Sequence, residues 1–547
     1  MPLGPSAHSS FVVSERYKLY LLFFLFALVY IRSLFGDFIS LDDFDLVERL
    51  GKAKNQSLYG IFFGAAKGGL YYRPLLIVTH HFENLAGLLT PLAMRFDNLL
   101  LHFANSVGVY LLSSRYLSRP GGSARSWVPL WTALFFAFHP LCTESVNWIS
   151  GRSDLLAAFF VLLSVGFLLA CRNRFSYGRL AGAFICCFLA VISKEVALAF
   201  APGMLLLLWG DRGRKGNVAR AYVYRLLGMV TVVALFLGGF VYLRSHFVAT
   251  NLGSINRTLQ IFFDDSLYSA MIFFRIFGFY AKKLVCPWPL NLAIMEVDPL
   301  YDLLGIVVVL VLLWCFVRDR FGSNFYVVAA MLILPAYPIA FNQIAWTPFA
   351  ERYLYLPLIF IVLGLSWFAQ NRPLKVPPVI LVPFLAALLA VFAITTIHRN
   401  GQWQTSLTLW SDTVEKSPYS KAALSSYAIE LFKRGDFVSA EEYFDRARRG
   451  FGYNYVPRRE VLYGEFLAET GRLQEAVEVW RTVLEKTDGQ SREAYRQLLV
   501  LCEQRGGQVA YCQDSVQRAA DIQRLYDLTH DLRLLKKLEK LSPVERD

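Results

Sequence analysis

Residues 19–45, LYLLFFLFALVYIRSLFGDFISLDDFD, carry an apolar run from Leu19 to Ile31 followed by four aspartates, Asp37, Asp42, Asp43 and Asp45. The run has the character of a bilayer-crossing helix, and carboxylates set beside a bilayer are costly unless they serve a function. Arg16 and Lys18 precede the run and no small-residue cleavage site follows it, so it reads as a retained first span rather than a removed leader. The stretch points to helices crossing a membrane, with acid/base chemistry on one face.

The rest of the chain agrees. Of 547 residues, 55% are hydrophobic and 15% aromatic, with a mean hydropathy of +0.41, outside the range of ordinary soluble domains. Apolar runs recur as far as about residue 400, after which the chain becomes polar. This sets a membrane domain over 1–399 and a soluble domain over 400–547. The net charge of +13 sits largely in short loops: Arg115, Arg119 and Arg125; Arg172, Arg174 and Arg179; Arg212, Arg214, Lys215, Arg220 and Arg225. That is the positive-inside pattern, and it argues against nucleic-acid binding, which needs a basic face on a soluble domain.

With the N-terminus in the cytoplasm, about eleven spans follow, near 18–35, 93–113, 127–141, 154–171, 179–193, 196–210, 226–244, 302–317, 324–343, 353–369 and 377–397. Segment 269–285 carries Arg275, Lys282 and Lys283 in an apolar stretch. As a span it would put Arg318, Arg320, Arg372 and Lys375 outside, so it reads as an amphipathic helix on the far surface. The acidic loop and the C-terminal domain then share the extracytoplasmic side.

Past residue 400, Gly435, Ala440, Phe444 and Ala447 recur 36 positions on as Gly471, Ala476, Trp480 and Val483, with a partial earlier copy around Trp410 and Pro418. A turn glycine, a small residue and a large aromatic at these offsets are the tetratricopeptide signature. The alternative is an unrelated helical bundle. Such repeats hold polypeptide segments and imply a protein partner. Cys502 and Cys512 lie in this tail; an oxidising compartment would let them pair, though spacing does not establish it.

Polar residues gather at the far-side span ends: Asp42, Asp43, Arg73, His80, His81, His139, Glu144, Asn147, Arg152, Asp154, Lys194, Glu195, Glu351 and Arg352. This mixture suits group transfer from a lipid-linked phosphate. A carboxylate takes the acceptor's proton, and fixed cations stabilise the leaving phosphate. Plainer roles stand beside these: Asp37 and Asp45 as solvated loop charges, His139-Pro140 as a span terminus, Asp154 as a helix cap and Lys194-Glu195 as a self-compensating turn pair. Asp42, Asp43 and the histidines could also hold a divalent metal ion, for which spacing gives no geometry.

In order along the chain, the motifs are Ile39-Ser40-Leu41-Asp42-Asp43, His139-Pro140 with Thr143-Glu144, Gly151-Arg152-Ser153-Asp154-Leu155, Ser193-Lys194-Glu195, Pro287-Trp288-Pro289-Leu290 and Ala350-Glu351-Arg352-Tyr353-Leu354-Tyr355-Leu356-Pro357. His398-Arg399-Asn400, Trp403 and Leu409-Trp410 follow. Together they resemble the transmembrane and tetratricopeptide-repeat O-mannosyltransferases and their prokaryotic relatives. The resemblance implies an all-α, polytopic glycosyltransferase of the C-type fold. It further implies a polyprenyl- or dolichyl-phosphate monosaccharide donor, mannose in eukaryotic members, and inverting transfer to protein Ser/Thr on the extracytoplasmic side. On this resemblance Asp42 is the catalytic carboxylate and Asp43 its neighbour. Arg352 falls where a donor-phosphate contact is expected, and Lys194 and Glu195 match a far-side motif with no assigned role. From the polar constellation itself Lys194 and Arg73 are further phosphate-binding candidates, with His139, Glu144, Arg152, Asp154, Glu195 and Glu351 supporting.

The tail is short for eukaryotic members, which favours a prokaryotic inner membrane. The sequons at Asn55-Gln56-Ser57 and Asn256-Arg257-Thr258 fit an endoplasmic reticulum membrane instead. Two other functions stay open: glycosyl transfer to a glycan or lipid acceptor, and a non-catalytic scaffold that recruits partners through its repeats.

Overall fold

A computed structural model describes residues 5–52, 56–63, 72–117, 127–209, 227–242 (without 229 and 233), 259–318, 320–341, 345–372, 376–451, 456–505 and 508–541. The second sequon, Asn55 of the first, the basic loop 211–225, and Arg119, Arg125 and Lys375 lie outside the described residues. All regular structure among the described residues is helical, and the chain divides into two units, Met1–Asp412 and Thr413–Asp547.

The first unit opens with α1 (Pro5–Tyr30), α2 (Asp43–Lys52), α3 (Leu58–Phe63), α4 (Pro74–Leu85), α5 (Pro91–Tyr116), α6 (Val128–Phe138), α7 (Cys142–Asn147) and α8 (Arg152–Asn173). It continues with α9 (Tyr177–Ser193), α10 (Ala201–Trp209), α11 (Ser266–Val285), α12 (Tyr301–Arg318), α13 (Phe321–Ile333), α14 (Ala336–Ala340), α15 (Tyr355–Asn371) and α16 (Pro378–Gln402). Local chemistry sets several of these boundaries. Pro74, Pro91 and Pro378 open helices where a missing N–H costs nothing. Thr90 caps α5 through Ala93 N, and Asp265 caps α11 through Tyr268 N. Pro140 ends α6, because the residue before a proline avoids the helical region.

Among the described residues, five helices are long and apolar enough to cross a membrane: Glu15–Phe35, Ile149–Asn173, Tyr301–Arg318, Glu351–Asn371 and Pro378–Gln402. Apolar helices of this length make the chain a membrane protein. The other described runs counted toward about eleven spans differ. Val128–Phe138, Tyr177–Ser193 and Phe321–Ile333 are apolar but shorter, and α5 carries buried Arg95, Asn98, His102 and Asn105 along its inward face. The core gathers where α5, α6, α8 and α15 meet, around Val109, Phe136, Ala157, Val161, Tyr355 and Ile359. By contrast, α12 turns Leu303, Val307, Leu310, Trp314 and Val317 outward, an apolar face suited to lipid.

Helix α11 packs on α12 through two glycines. A Cβ at Gly278 would fall 1.9 Å from the Tyr301 carbonyl oxygen, and one at Gly305 would fall 1.8 Å from that of Phe274. The cations that argued for a surface position are engaged by protein. Arg275 forks onto Asp302 at 2.8 and 2.9 Å, Lys283 reaches Glu351 at 2.7 Å, and Lys282 donates to the Trp288 carbonyl.

In the second unit, the helix pairs α17 (Lys421–Lys433) with α18 (Phe437–Arg449), and α19 (Pro457–Glu469) with α20 (Leu473–Lys486), turn at Gly435 and Gly471. Their φ values of 80° and 83° fall in the left-handed region that glycine occupies without strain. Phe444 and Trp480 are both buried, and Trp480 Nε1 donates to the Val461 carbonyl at 3.0 Å. Gly464 lies flat against that indole, where a Cβ would sit 2.3 Å from Nε1. Cys502 and Cys512 form a disulfide.

Candidate functional site

The loop between Phe35 and α2 is fixed at both ends of its acidic motif. Asp43 folds back so that its Oδ2 accepts from Ile39 N at 2.9 Å, closing a tight turn. Its Oδ1 is buried with no hydrogen-bond partner among the described residues. Burial, and then the charge of Asp42, push Asp43 up to about 8, so at neutral pH it carries a proton. Asp42 is half-buried, and its Oδ1 accepts from Trp148 Nε1 at 2.7 Å. Burial raises its pKa as well, while the bond from Trp148 and the charges of Arg49 and Arg352 oppose the rise. One carboxyl is neutral beside one poised to accept a proton, a division of labour suited to a general base.

Trp148 joins this carboxylate to a cation. The Arg352 guanidinium carbon lies 5.3 Å from the Trp148 ring centroid and 5.0 Å from that of Tyr353. Arg352 sits in the 3₁₀ turn Glu351–Leu354 that leads into α15. Its Nη1 donates to Glu144 Oε1, and its backbone N to Glu144 Oε2 at 3.0 Å. Glu144 is on α7, the short helix that ends next to Trp148, so one indole is flanked by Asp42 and Arg352.

The two further cations expected at a phosphate are each paired. Lys194, at the end of α9, donates to Asp154 Oδ1 at 2.6 Å, and Arg73, at the start of α4, grips Glu195 at 2.9 and 2.6 Å. Burial, with the charges of Arg73 and Arg352 nearby, holds Lys194 below its usual value although Asp154 opposes the shift. Arg73, Lys194 and Arg352 thus lie near enough for their charges to act on one another, each held in place by its own carboxylate.

The remaining expected residues brace this centre. Arg152 spends its guanidinium on Asn98 Oδ1 at 2.8 Å, the Met94 carbonyl at 2.8 Å and Glu83 Oε1 at 2.7 Å, which locks α8 to α4 and α5. Glu351 accepts from Lys283 Nζ and from Asn291 N at 2.9 Å. His139 Nε2 meets the Leu284 carbonyl at 3.1 Å, and its ring lies 4.7 Å from Phe392. His80 Nδ1 pairs with Glu83 at 2.7 Å. Among the described residues no three His, Cys, Asp or Glu side chains converge as a metal site.

Sequence reasoning missed Trp148, Glu83, Lys283 and Arg95. Trp148 stands between Thr143-Glu144 and Gly151-Arg152, and Glu83 beside His80-His81, but neither position marks the partner that the side chain takes. Lys283 was read as a surface charge, and only three-dimensional pairing with Glu351 assigns it inward.

No family model matches the chain. Over 485 residues it is 25% identical to a mouse protein O-mannosyl-transferase, TMTC4, covering 77% of this chain and 65% of that protein. It is 24% identical to human TMTC4 over 478 residues, 76% of this chain and 63% of the relative. A shorter match, 32% identical over 132 residues, covers 23% of this chain and 15% of human protein O-mannosyl-transferase TMTC2. The chain thus spans just under two thirds of the length of the TMTC4 relatives. The likeness carried by the motifs and the likeness found over most of the chain are to one family, the TMTC protein O-mannosyl-transferases.

Proposed function

We propose that the protein transfers a monosaccharide, mannose on the strength of its relatives, from a polyprenyl or dolichyl phosphate to Ser/Thr hydroxyls of proteins on the extracytoplasmic side. The single observation that carries this reading is the indole of Trp148 holding the Asp42 carboxylate while Arg352 stacks on its ring. A base and a phosphate-binding cation held by one indole are the two groups that transfer from a sugar phosphate requires. Asp42 takes the acceptor hydroxyl's proton as its oxygen bonds to C1. The C1–O bond to phosphate breaks, and its electron pair leaves on the lipid phosphate, next to Arg352, Lys194 and Arg73. The transition state resembles an oxocarbenium ion, and displacement in one step inverts C1.

The membrane bundle of about eleven spans, of C-type fold, supplies this centre from 1–399. Residues 400–547, read as tetratricopeptide repeats, hold the protein acceptor. The turn glycines 36 residues apart and the seating of Trp480 against Gly464 support the repeat reading. Two contacts support the parity of the spans: Arg352 on Glu144 and His139 on Leu284. A membrane-crossing 269–285 would have put Arg352 and Glu144 on opposite faces. The Cys502–Cys512 disulfide suits a C-terminal unit outside the cytosol, in a prokaryotic inner membrane or the endoplasmic reticulum membrane.

The test is sugar transfer from labelled polyprenyl-phosphate mannose to an extracytoplasmic protein extract by purified wild type and Asp42→Asn. Label on protein with wild type alone supports the reading. Equal label with both removes Asp42 as base, and no label with wild type, joined to failure to bind the donor, removes the enzyme.

A further inference from the structure

The catalytic loop is gripped from the far end of the sequence. Ser40, two residues before Asp42, donates its backbone N to Ser406 Oγ at 2.8 Å, and its own Oγ accepts from Trp410 Nε1 at 2.9 Å. Asp37 N donates to the Gln404 carbonyl at 2.7 Å, and Gln404 Nε2 reaches back to the Arg32 carbonyl at 2.8 Å. Arg95 joins both strands of this grip, donating from one Nη2 to the Asp37 carbonyl at 2.7 Å and the Trp403 carbonyl at 3.0 Å. Trp403 and Trp410 are almost fully buried, as are Arg95 and Ser406. A segment that served only to lead out of the last span has no need of buried indoles or of side-chain bonds to a loop some 370 residues earlier.

The loop has little rigidity of its own. Between Phe35 and α2 it holds no helix, and the bond from Ile39 N to Asp43 Oδ2 is what closes its turn from within. A base must be held to within a fraction of an ångström of its productive place to be effective, and rigid outside support is how that is done.

We infer that Trp410 and Ser406 are positioning residues for Asp42: the neck after the last span sets the catalytic loop's geometry by clamping Ser40. This rests on the reading of Asp42 as the general base. The neck's bonds end on Arg32, Asp37 and Ser40 rather than on Arg352, Lys194 or Arg73, so its effect should fall on turnover rather than on donor affinity.

The experiment compares full-length wild type, Trp410→Phe, Ser40→Ala, Ser40→Thr and the double variant Trp410→Phe/Ser40→Ala, using polyprenyl-phosphate mannose as donor. Trp410→Phe and Ser40→Ala should each lower kcat about tenfold, the worth of one well-placed hydrogen bond at a reacting group. KM for the donor should stay unchanged, the double variant should be no worse than the single ones, and Ser40→Thr should recover activity. The acid limb of the pH–rate profile should also move, because Asp42 then sits in altered surroundings. Unchanged kcat in both single variants overturns the inference, as does a fall with no pH shift and no rescue by Ser40→Thr. Hydrogen exchange keeps the two readings apart: amides of 37–43 should exchange faster in Trp410→Phe than in wild type whether or not transfer is seen. Equal exchange overturns the clamp, while absent transfer with faster exchange overturns only the enzyme reading.

Discussion

Asp42 and Asp43 are adjacent and opposite in role, and each makes a prediction. Asp42→Asn keeps the Trp148 bond acceptor and the fold but cannot take a proton; transfer should fall by roughly 10²–10⁴-fold with little change in Tm. Since burial raises Asp42's pKa, kcat/KM should drop as pH falls through that raised value and the base becomes protonated. Asp43 concerns stability. Its pKa is about 8 folded against the usual 3.8, so folding favours its protonated form. The stability it contributes is complete below 3.8 and drains away as pH rises through 8. Asp43→Asn cannot ionise and should flatten the decline of Tm across that window, measured in detergent. The sequence made Asp42 visible through its place beside the first span. It hid Trp148, because an apolar-looking tryptophan in a membrane protein carries no mark of the carboxylate it will hold.

Elements meet here at points where a single atom decides the packing. Helices α11 and α12 approach over Gly278 and Gly305, and no side chain fits between either glycine and the facing carbonyl. Gly278→Ala should cost about 1–3 kcal/mol, as overpacked interfaces do, read as a lowered Tm with the far-UV helix signal intact. The Glu144–Arg352 pair ties α7 to the turn before α15. Glu144→Gln leaves a buried guanidinium short of its counter-charge, and should cost about 3–5 kcal/mol. Its loss of donor binding should exceed that of Glu351→Gln, whose partner is Lys283. Helix positions were legible because apolar periodicity and prolines mark them. The lengths were less so: hydropathy counted full crossings near 127–141 and 324–343, whereas the helices there, Val128–Phe138 and Phe321–Ile333, are 11 and 13 residues long. The surface position of 269–285 rested on keeping Arg318, Arg320, Arg372 and Lys375 on the cytoplasmic side; the partners that Arg275, Lys282 and Lys283 take are a property of the fold that no linear scan reveals.

Across the whole molecule, two units of different chemistry share one chain, the first apolar and the second rich in charge. The second is stapled by Cys502–Cys512. Cys502→Ser should lower that unit's unfolding free energy by about 2–4 kcal/mol, and in intact protein a thiol-reactive probe should reach Cys512 only after reduction. The break in composition near residue 400 was plain in the sequence, as was the turn-glycine spacing. The assembly of the site was not, because its members come from segments scattered between Asp42 and Arg352.

That scatter has a consequence in time. Glu144 and Arg352 are 208 residues apart, and Ser40 and Trp410 are separated by 370. A ribosome adding about 5–20 residues each second commits Glu144 to the bilayer well before its arginine exists, and leaves the acidic loop unsupported until the neck emerges. A half-made chain therefore has no working centre. On the reading advanced here, the enzyme cannot begin glycosylating its surroundings until nearly all of its membrane unit has been made, inserted and folded.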